Sequence, residues 1–287
     1  MITNVLMMIS RSRASVIRIG EVLDTEADIL PKEDAVVIED MKGVLKFENV
    51  SFRYYADAQD VLTNINLTIN PGEHIGIIGS TGSGKSTLVN LLSRLIDVTG
   101  GRITIDDIDI RDLDLKYLRT LFGFVPQKNL LFSGTIADNL KLGNEFGTVD
   151  QMIESTEAAS IYGYIRDLKG GFDAPVQQGG ANFSGGQRQR LCIARALMIS
   201  PHYLVMDDST SALDAATEAQ VKESVAERFK DTTVISIAQK ISSVADSDKI
   251  VVLDEGRIVG LGKHDDLLNS CGVYQEIYNS QMKKGGE

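Results

Sequence analysis

The amino-acid sequence predicts an α/β fold built on a parallel sheet. Three short apolar runs in the last third of the chain, YLVMDD, TTVISIA and KIVVLDEG, are typical of buried strands. Helical patterns at residues 214–228 and 240–246 separate them, and such alternation is expected of a parallel sheet. A third observation is the run EHIGIIG, which leads directly into a glycine-rich loop and then a helical pattern.

Further elements are predicted on either side of that loop. LKFENVSFRY and VLTNINLTIN alternate apolar and polar residues and end at Asn70, Pro71 and Gly72, which favours two strands closed by a turn. After the loop, STLVNLLSRLI has helical spacing, whereas GRITID and TLFGFVPQ are predicted strands. Residues 134–183 have few β-branched runs and helical stretches around 149–168, which predicts a helical insertion.

The N-terminal segment is predicted to be a helix that does not cross a membrane. Its opening, MITNVLMMIS, is shorter than the roughly 20 residues a span needs, and it lacks the charge order and cleavage site of a secretory signal. Residues 24–43 are acidic and contain Pro31 and Gly43, which suits a linker before a domain beginning near Val44. Apolar residues at mostly helical intervals indicate a surface helix or the end of a longer one: Val5, Ile9, Val16, Ile19 and Leu23.

Composition excludes several classes of protein. The 287 residues, 43% hydrophobic and 24% charged, argue against wholesale disorder and against an intact multi-span membrane protein. The length suits one elaborated domain with an N-terminal appendage. A formal net charge of -11 opposes attraction to phosphate backbones, so nucleic acid is not an expected partner. Cys192 and Cys271 are too few for a disulfide framework and favour a reducing, cytoplasmic setting.

The glycine-rich loop matches the phosphate-binding pattern in full. Four residues separate Gly79 from Gly84, and Lys85 and Ser86 follow at the start of a predicted helix. Glycines let backbone N–H groups converge on phosphate oxygens, and the helix adds its positive N-terminal end. Lys85 can reach the outer phosphates and Ser86 can ligate magnesium. A plain glycine turn would explain neither residue.

Two more segments carry candidate chemistry. An apolar strand ends at Asp207, where a carboxylate can complete a magnesium site with Ser86, although alone it would be typical of a solvated strand end. Ser184 precedes two glycines and a helical run, so it can cap that helix while the glycines expose a second anion site. The three histidines have no partner at metal or catalytic spacing and are interpreted as structural or exposed.

Five motifs, in order and spacing, resemble the nucleotide-binding domain of ABC transporters of the exporter type over residues 44–282. They are VSFRY, GSTGSGKST, the glutamine of FVPQ, FSGGQ and YLVMDDSTSALD. The resemblance implies a P-loop NTPase (RecA-like) core with a parallel sheet, an N-terminal antiparallel β subdomain and an inserted helical subdomain at about 134–195. Residues 1–23 are then the cytoplasmic end of a transmembrane-domain helix or a surface helix, 24–43 a linker and 44–287 the nucleotide-binding domain.

The same resemblance implies that the chain binds ATP with Mg²⁺. Tyr54 is expected to stack on adenine, with the adjacent Tyr55 as the alternative. Magnesium would be surrounded, directly or through water, by Ser86, Gln127 and Asp207, and Lys85 and Gln127 also count among the catalytic residues. The residues expected to wrap the phosphates are Gly79, Ser80, Thr81, Gly82, Ser83, Gly84, Lys85, Ser86 and Thr87.

ABC transporters hold ATP between the phosphate loop of one domain and the FSGGQ segment of the other. The resemblance therefore implies a second nucleotide-binding domain as partner, encoded by a different chain, together with transmembrane domains at the cytoplasmic face of the plasma membrane. A homodimer is the alternative. The residues expected to face the partner's nucleotide are Ser184, Gly185, Gly186, Gln187 and Asp214.

Two residues depart from the family's pattern. Asp208 stands where the family usually has a glutamate that polarises water, and its arm is shorter by about 1.5 Å. A general base must lie about 2.6–3.2 Å from its target, so we expect a rate loss of roughly 10² to 10⁴. Gln239 replaces the family's switch histidine; its amide can donate to a γ-phosphate but cannot become a cation.

Both departures fall in one composite site, whereas FSGGQ is close to the family's usual LSGGQ. They lead to the hypothesis of a heterodimeric exporter in which this chain has a slow site of its own and completes a competent site of its partner. An ATP-dependent interaction switch with negligible hydrolysis is the competing reading, and neutral drift in a working ATPase is another. The acidic balance and the segment TIADNL disfavour an ABC ATPase of the DNA-repair kind.

Overall fold

The computed structural model describes residues 2–208 and 213–284 of the chain. Two compact units are present, Met1–Pro31 and Lys32–Glu287, and each is described by itself. In the described parts of both units, no helix has the length and apolar character needed to cross a membrane.

The first unit is dominated by one helix, α1 (Ile2–Leu23). The predicted N-terminal helix is therefore present. Its exposed side chains include Met8, Val16 and Leu23, so several large apolar groups of this unit face solvent.

The second unit combines strands and helices in alternation. Its described strands are β1 (Leu45–Phe52), β2 (Leu62–Ile69), β3 (His74–Gly79), β4 (Gly100–Ile105), β5 (Ile108–Asp109), β6 (Phe122–Val125), β7 (Gly134–Thr135), β8 (Pro175–Val176), β9 (Tyr203–Asp207), β10 (Thr233–Ile237), β11 (Lys249–Asp254) and β12 (Arg257–Gly262). Its described α-helices are α2 (Lys85–Leu92), α3 (Leu115–Thr120), α4 (Ile136–Lys141), α5 (Val149–Ala158), α6 (Tyr162–Asp167), α7 (Gly185–Leu197), α8 (Ala215–Arg228), α9 (His264–Ser270) and α10 (Gly272–Lys284).

A six-stranded sheet in the order β12-β11-β3-β10-β9-β6 forms the centre of this unit. The strands β11, β3, β10, β9 and β6 pair in parallel, and β12 joins the edge antiparallel. The parallel strands are mostly buried, as apolar runs covered on both faces should be. Because β3 lies between β11 and β10, the loop after β3 leaves the sheet where the carboxyl ends of its neighbours also lie.

A second, antiparallel sheet has the order β2-β1-β4-β5. Its apolar face shares one hydrophobic cluster with β3 and α2, including Phe47 and Leu88. The segment that leads into β1 is held by Asp106, which follows β4 and whose carboxylate accepts the backbone N–H groups of Lys42, Gly43 and Val44. The two sheets together confirm the predicted α/β fold class.

Helices α4 to α7 pack around a separate hydrophobic cluster, to which α8 and the short pair β7–β8 contribute. Capping boxes at Thr135, Thr148 and Ser184 begin α4, α5 and α7. The predicted helical stretch around 149–168 is two helices, because the chain turns at Ser160, which has a left-handed φ of 53°.

The predicted helix at 240–246 is wrong. The structure has a single 3₁₀ turn there, Ile241–Ser243, preceded by extended backbone at Lys240. Ile241 and Val244 bury their side chains on this one turn, which accounts for the apolar spacing. The N–H of Ile241 donates to the side chain of Gln281 at 2.9 Å, so its hydrogen bond goes to α10 rather than to a preceding helical turn.

Candidate functional site

The glycine loop connects the end of β3 to the start of α2. Gly82 and Gly84 have φ values of 86° and 99°, a left-handed conformation that glycine adopts at little cost. A Cβ on Gly84 would lie 2.7 Å from Leu62 Cδ2 and 3.1 Å from the carbonyl oxygen of Val61, so a larger residue would also force its neighbours to shift. Gly84 is the N-cap of α2 and has no side chain that could accept a hydrogen bond from the helix. The first N–H groups of α2 are therefore available to an anion.

Lys85 folds back onto this loop. Its ammonium donates to the carbonyl oxygens of Gly79 at 2.8 Å and Ser80 at 2.7 Å. Burial lowers the pKa of Lys85, while the charges of Asp207 and Asp208 act in the opposite direction. The lysine therefore joins both ends of the loop and sits beside two carboxylates.

Asp207 ends β9 next to the loop. Burial raises the pKa of Asp207 and the charge of Asp208 adds to this, whereas a hydrogen bond with Ser86 and the charge of Lys85 oppose it. The oxygens of Ser86, Gln127 and Asp207 are the ligand type that Mg²⁺ prefers, and all three residues line one cavity. A carboxylate whose charge is disfavoured by burial suits a divalent cation, so these residues fit Mg²⁺.

Asp208 accepts hydrogen bonds from two side-chain amides. Nε2 of Gln239 lies 2.7 Å from Asp208 Oδ2, and Nε2 of Gln127 lies 3.3 Å from the same oxygen. Asp208 has a left-handed φ of 47°, and its N–H donates to the carbonyl of Ile237 at the end of β10. The structure thus brings Asp208, predicted for water activation, and Gln239, predicted for γ-phosphate contact, together with Gln127, which was predicted for the magnesium site and as a catalytic residue.

These groups surround a cavity of about 320 Å³. Gly79, Ser80 and Ser83 belong to the loop but not to the lining of the cavity. The described residues that line it are Val61, Thr81, Gly82, Gly84, Lys85, Ser86, Thr87, Gln127, Asp207, Asp208, Ile237 and Gln239.

Tyr54 contacts the end of the phosphate loop. Its hydroxyl lies 3.0 Å from Thr87 Oγ1, and its ring packs edge-on against Phe52 with centroids 4.8 Å apart. Tyr55 is 79% exposed. Tyr54 is 53% exposed and neither tyrosine lines the 320 Å³ cavity, so the stacking role of Tyr54, with Tyr55 as the alternative, stays a prediction.

The segment after Phe183 forms the N-terminus of α7. Ser184 Oγ accepts the N–H of Gln187 at 3.2 Å, and Gln187 Oε1 accepts the N–H of Ser184 at 2.8 Å. Asp214 caps α8 through Thr217, and these hydrogen bonds lower the pKa of Asp214. Neither cap lines the 320 Å³ cavity. Residues 209–212, in the middle of the motif YLVMDDSTSALD, lie outside the described residues.

The histidines make structural contacts, with one exception. His74 Nε2 lies 3.0 Å from Ser236 Oγ, and His264 Nδ1 lies 2.7 Å from the hydroxyl of Tyr274. His202 is exposed. In the ranges that the structure describes, no group of three or more His, Cys, Asp or Glu side chains is arranged to hold a metal.

Gln281, which no sequence pattern indicated, bonds to the backbone that carries Gln239. Its amide contacts the backbone of Gln239 and Ile241 from the C-terminal helix. No local pattern indicates such a contact, because about 40 positions separate the partners.

A glycine loop after the central parallel strand, a lysine on that loop and a carboxylate ending a neighbouring strand define a P-loop nucleotide-binding protein. Residues 62–211 match the family described as ABC transporter, and the chain belongs to that family. The resemblance noted in the sequence is thereby confirmed at the level of the family.

Relatives of this chain carry the same domain. The chain is 42% identical over 281 residues to the uncharacterized ABC transporter ATP-binding protein YfiB of Bacillus subtilis (strain 168), covering 98% of the chain and 48% of that protein. It is 38% identical over 283 residues to the ATP-dependent lipid A-core flippase of Syntrophus aciditrophicus (strain SB), covering 99% of the chain and 47% of that protein. The chain spans about half the length of these curated relatives.

A solved structure shows the same architecture. The structure of a bacterial Atm1-family ABC exporter with ATP bound matches with a TM-score of 0.86 and 35% identity, covering 96% of this chain and 49% of that one. At that identity the likeness extends beyond the fold to the family. The chain is thus an ABC transporter ATP-binding domain similar to those of exporters.

Proposed function

We propose that this chain is the ATP-binding and ATP-hydrolysing motor domain of an ABC exporter, acting at the cytoplasmic face of the plasma membrane. The observation that carries the proposal is the 320 Å³ cavity, in which Lys85, Ser86 and Asp207 meet beside the N-terminus of α2. A cation, a hydroxyl and a carboxylate at a helix N-terminus suit a magnesium-bound phosphate chain. The similar exporter structure was determined with ATP bound.

Each binding residue has a distinct role in this proposal. The loop from Gly79 to Thr87 wraps the phosphates, and Lys85 exchanges its carbonyl partners for phosphate oxygens. Tyr54 stacks on adenine. Ser86, Gln127 and Asp207 hold Mg²⁺, which when bound supplies positive charge that offsets the negative charge of the phosphates.

Hydrolysis at this site is proposed to be slow. Asp208 has the shorter arm, and both lone pairs of its Oδ2 are engaged by amides of Gln127 and Gln239. An attacking water must therefore displace an amide before this oxygen accepts its proton. Gln239 contributes a neutral donor to the γ-phosphate where an imidazole could also carry charge.

The N-terminus of α7 is proposed to complete the site of a partner domain. Ser184, Gly185 and Gly186 leave the helix start without bulky side chains, and Asp214 at the start of α8 is proposed to cross the interface. This chain combines an FSGGQ segment close to the usual motif of the family with a weakened site of its own, and that combination supports a heterodimer with two unequal sites. Closure of that dimer around ATP then drives export through membrane helices of the transporter.

The helix α1 fits a connection to the membrane part. It exposes several large apolar side chains, including Met8, Val16 and Leu23, which suit packing against other helices. We propose that residues 1–23 are the cytoplasmic end of a transmembrane-domain helix and that 24–43 link it to the nucleotide-binding domain.

A second candidate function is an ATP-dependent interaction switch with negligible hydrolysis. The hydrogen-bonded group of Asp208, Gln127 and Gln239 favours it, because an amide must leave Asp208 Oδ2 before a water can bond to that oxygen. In a switch, ATP binding alone would drive dimer formation.

Single-turnover hydrolysis by the 287-residue chain separates the two functions. With Mg²⁺ and trace ATP, a motor domain releases phosphate slowly and does so faster with a partner whose own P-loop lysine is replaced by alanine; a switch binds ATP and releases none in either case. Fast turnover of the chain alone, abolished in Asp208→Ala, would contradict the slow site. Failure to bind ATP at all would contradict both functions.

A further inference from the structure

The backbone that carries Gln239 is held by the C-terminal helix. Gln281 of α10 accepts the N–H of Ile241 with Oε1 at 2.9 Å and donates from Nε2 to the carbonyl of Gln239 at 2.8 Å. Both ends of one planar amide are used, so the side chain bridges two backbone positions two residues apart. We call this pair of hydrogen bonds the Gln281 clamp.

Helix α10 is itself firmly anchored. Tyr274 is fully buried in the cluster that includes residues of β3 and β11, and its hydroxyl lies 2.7 Å from His264 Nδ1 of α9. Gln281 follows Tyr274 by seven residues, two helical turns, so both side chains lie on the same face of α10. The clamp therefore joins the Gln239 segment to a fixed support.

The far end of the same turn is held by α8. Lys222 Nζ donates to the carbonyl of Ser243 at 2.7 Å, and Glu218 accepts from Ser243 Oγ at 3.3 Å. Glu218 and Lys222 also form an ion pair at 3.2 Å. The turn is thus bonded at its two ends to two different helices.

Side-chain packing contributes less at the end nearest the nucleotide site. Ile241 is buried, but Gln239 and Lys240 are exposed, and a cavity of about 690 Å³ lies alongside Lys240, Ser242 and Gln281. With open space on that side, hydrogen bonds rather than close packing determine where the backbone at 239–240 lies. The clamp supplies two of them.

We propose that Gln281 is a positioning residue, which directs the Gln239 amide toward the nucleotide site by fixing its backbone. The proposal rests on the proposed function, in which Gln239 donates to the γ-phosphate. Since ADP lacks that phosphate, loss of the clamp weakens binding of ATP but not of ADP. The C-terminal helix thereby contributes to the discrimination between the two nucleotides.

The test compares Gln281→Ala and the shape-preserving Gln281→Met with Gln275→Ala in the 287-residue chain. Gln275 is the matched control, because it lies on the same helix and donates to the carbonyl of Leu268 at 2.7 Å, away from the turn. Binding of ADP and of a non-hydrolysable ATP analogue, each with Mg²⁺, is measured by calorimetry. Hydrogen exchange of the Ile241 amide without nucleotide reports on the clamp itself.

Both Gln281 variants are expected to reduce the preference for the ATP analogue over ADP by roughly fivefold, and Gln239→Ala by roughly tenfold. The Ile241 amide should exchange faster in both Gln281 variants and at the wild-type rate in Gln275→Ala. Because Gln281 acts through Gln239, adding Gln281→Met to Gln239→Ala should change the preference less than about twofold.

Two results would overturn the inference alone: wild-type nucleotide preference in both Gln281 variants, or an equal effect of Gln281→Met in the Gln239→Ala background. If Gln281→Ala fails to fold, Gln281→Met, which keeps the side-chain volume, decides the question. A wild-type chain that binds neither nucleotide refutes the proposed function, and the inference falls with it. A wild-type chain that binds both nucleotides while the variants match Gln275→Ala refutes the inference only.

Discussion

Gln239 and Asp208 are hydrogen-bonded to each other, with Nε2 of the amide 2.7 Å from Oδ2 of the carboxylate. The two residues that depart from the usual pattern of the family thus form one unit. A change at either position is expected to alter the other, and for that reason the effects of their substitutions should not add.

Asp208→Glu should raise hydrolysis at this chain's own site. The added methylene extends the carboxylate by about 1.5 Å, and we expect phosphate release at saturating MgATP to increase roughly tenfold or more. Asp208→Asn, which cannot accept a proton, is the matched control and should lower the rate. Equal rates in all three proteins would show that the carboxylate does not limit turnover.

Ser184→Ala should impair the partner's site beyond its effect on folding. Loss of the cap should cost about 1 kcal/mol of unfolding free energy, measured by urea denaturation. Thr148→Ala removes an equivalent capping box from α5 and should cost a similar amount. In the assembled transporter we expect hydrolysis to fall at least about tenfold in Ser184→Ala, to stay unchanged in Thr148→Ala, and to fall less in Asp208→Ala. Equal activity in the two cap variants would assign Ser184 a structural role alone.

Gly84→Ala should disrupt the phosphate loop. The left-handed φ of 99° costs about 1 to 2 kcal/mol for alanine, and the new Cβ would lie 2.7 Å from Leu62 Cδ2. We expect lower unfolding free energy and loss of measurable ATP binding. Gly163→Ala is the control, because a Cβ there meets no atom within 4 Å and α6 should gain a few tenths of a kcal/mol or more. Normal ATP affinity in Gly84→Ala would contradict the proposed loop function.

Tyr54→Ala should weaken ATP binding more than Tyr55→Ala does. Loss of one stacked aromatic ring costs about 1 to 3 kcal/mol, which corresponds to an increase in Kd of roughly 5- to 150-fold. Tyr54→Phe keeps the ring and loses the contact with Thr87, so its Kd should stay within about threefold of wild type. A larger effect at Tyr55 would move the adenine contact by one residue.

Acid should destabilise the chain partly through His74. Burial lowers the pKa of His74 from 6.5 to about 4, with the charge of Lys222 adding to this and Asp248 and Asp246 opposing it. The unfolded chain therefore binds the proton more readily, and stability is lost as the pH falls below about 6.5. Between pH 6.5 and 4.5 wild type should lose about 2 kcal/mol more than His74→Gln, measured by urea denaturation at each pH. Parallel losses would show that His74 does not contribute.

Local signals predicted much of this architecture. The phosphate loop and the strand ending at Asp207 are short patterns whose spacing alone indicates their geometry, and the structure brings them into one cavity. The parallel sheet followed from apolar runs separated by helices. Each of these features is determined by residues close together in the sequence, so the sequence alone is sufficient to predict them.

Contacts between distant segments were beyond the reach of these patterns. The predicted helix at 240–246 is a single 3₁₀ turn whose first N–H group, that of Ile241, bonds to Gln281, and nothing near residue 241 indicates that partner. The contact of Tyr54 with Thr87, more than thirty positions away, is likewise not indicated by any local pattern, and the role of Tyr54 at adenine stays a prediction. Both contacts are tertiary hydrogen bonds.

The two carbonyl contacts of Lys85 bear on how a nucleotide enters. The ammonium is already satisfied within the protein, so the loop has no reason to collapse when its ligand departs. An incoming phosphate must replace the carbonyl oxygens of Gly79 and Ser80 as partners of the Lys85 ammonium, and the loss of those hydrogen bonds reduces the net free energy of binding. The phosphate loop should therefore keep its conformation between one nucleotide and the next. Only ligands with enough negative charge to displace the two carbonyl oxygens from Lys85 should bind it tightly.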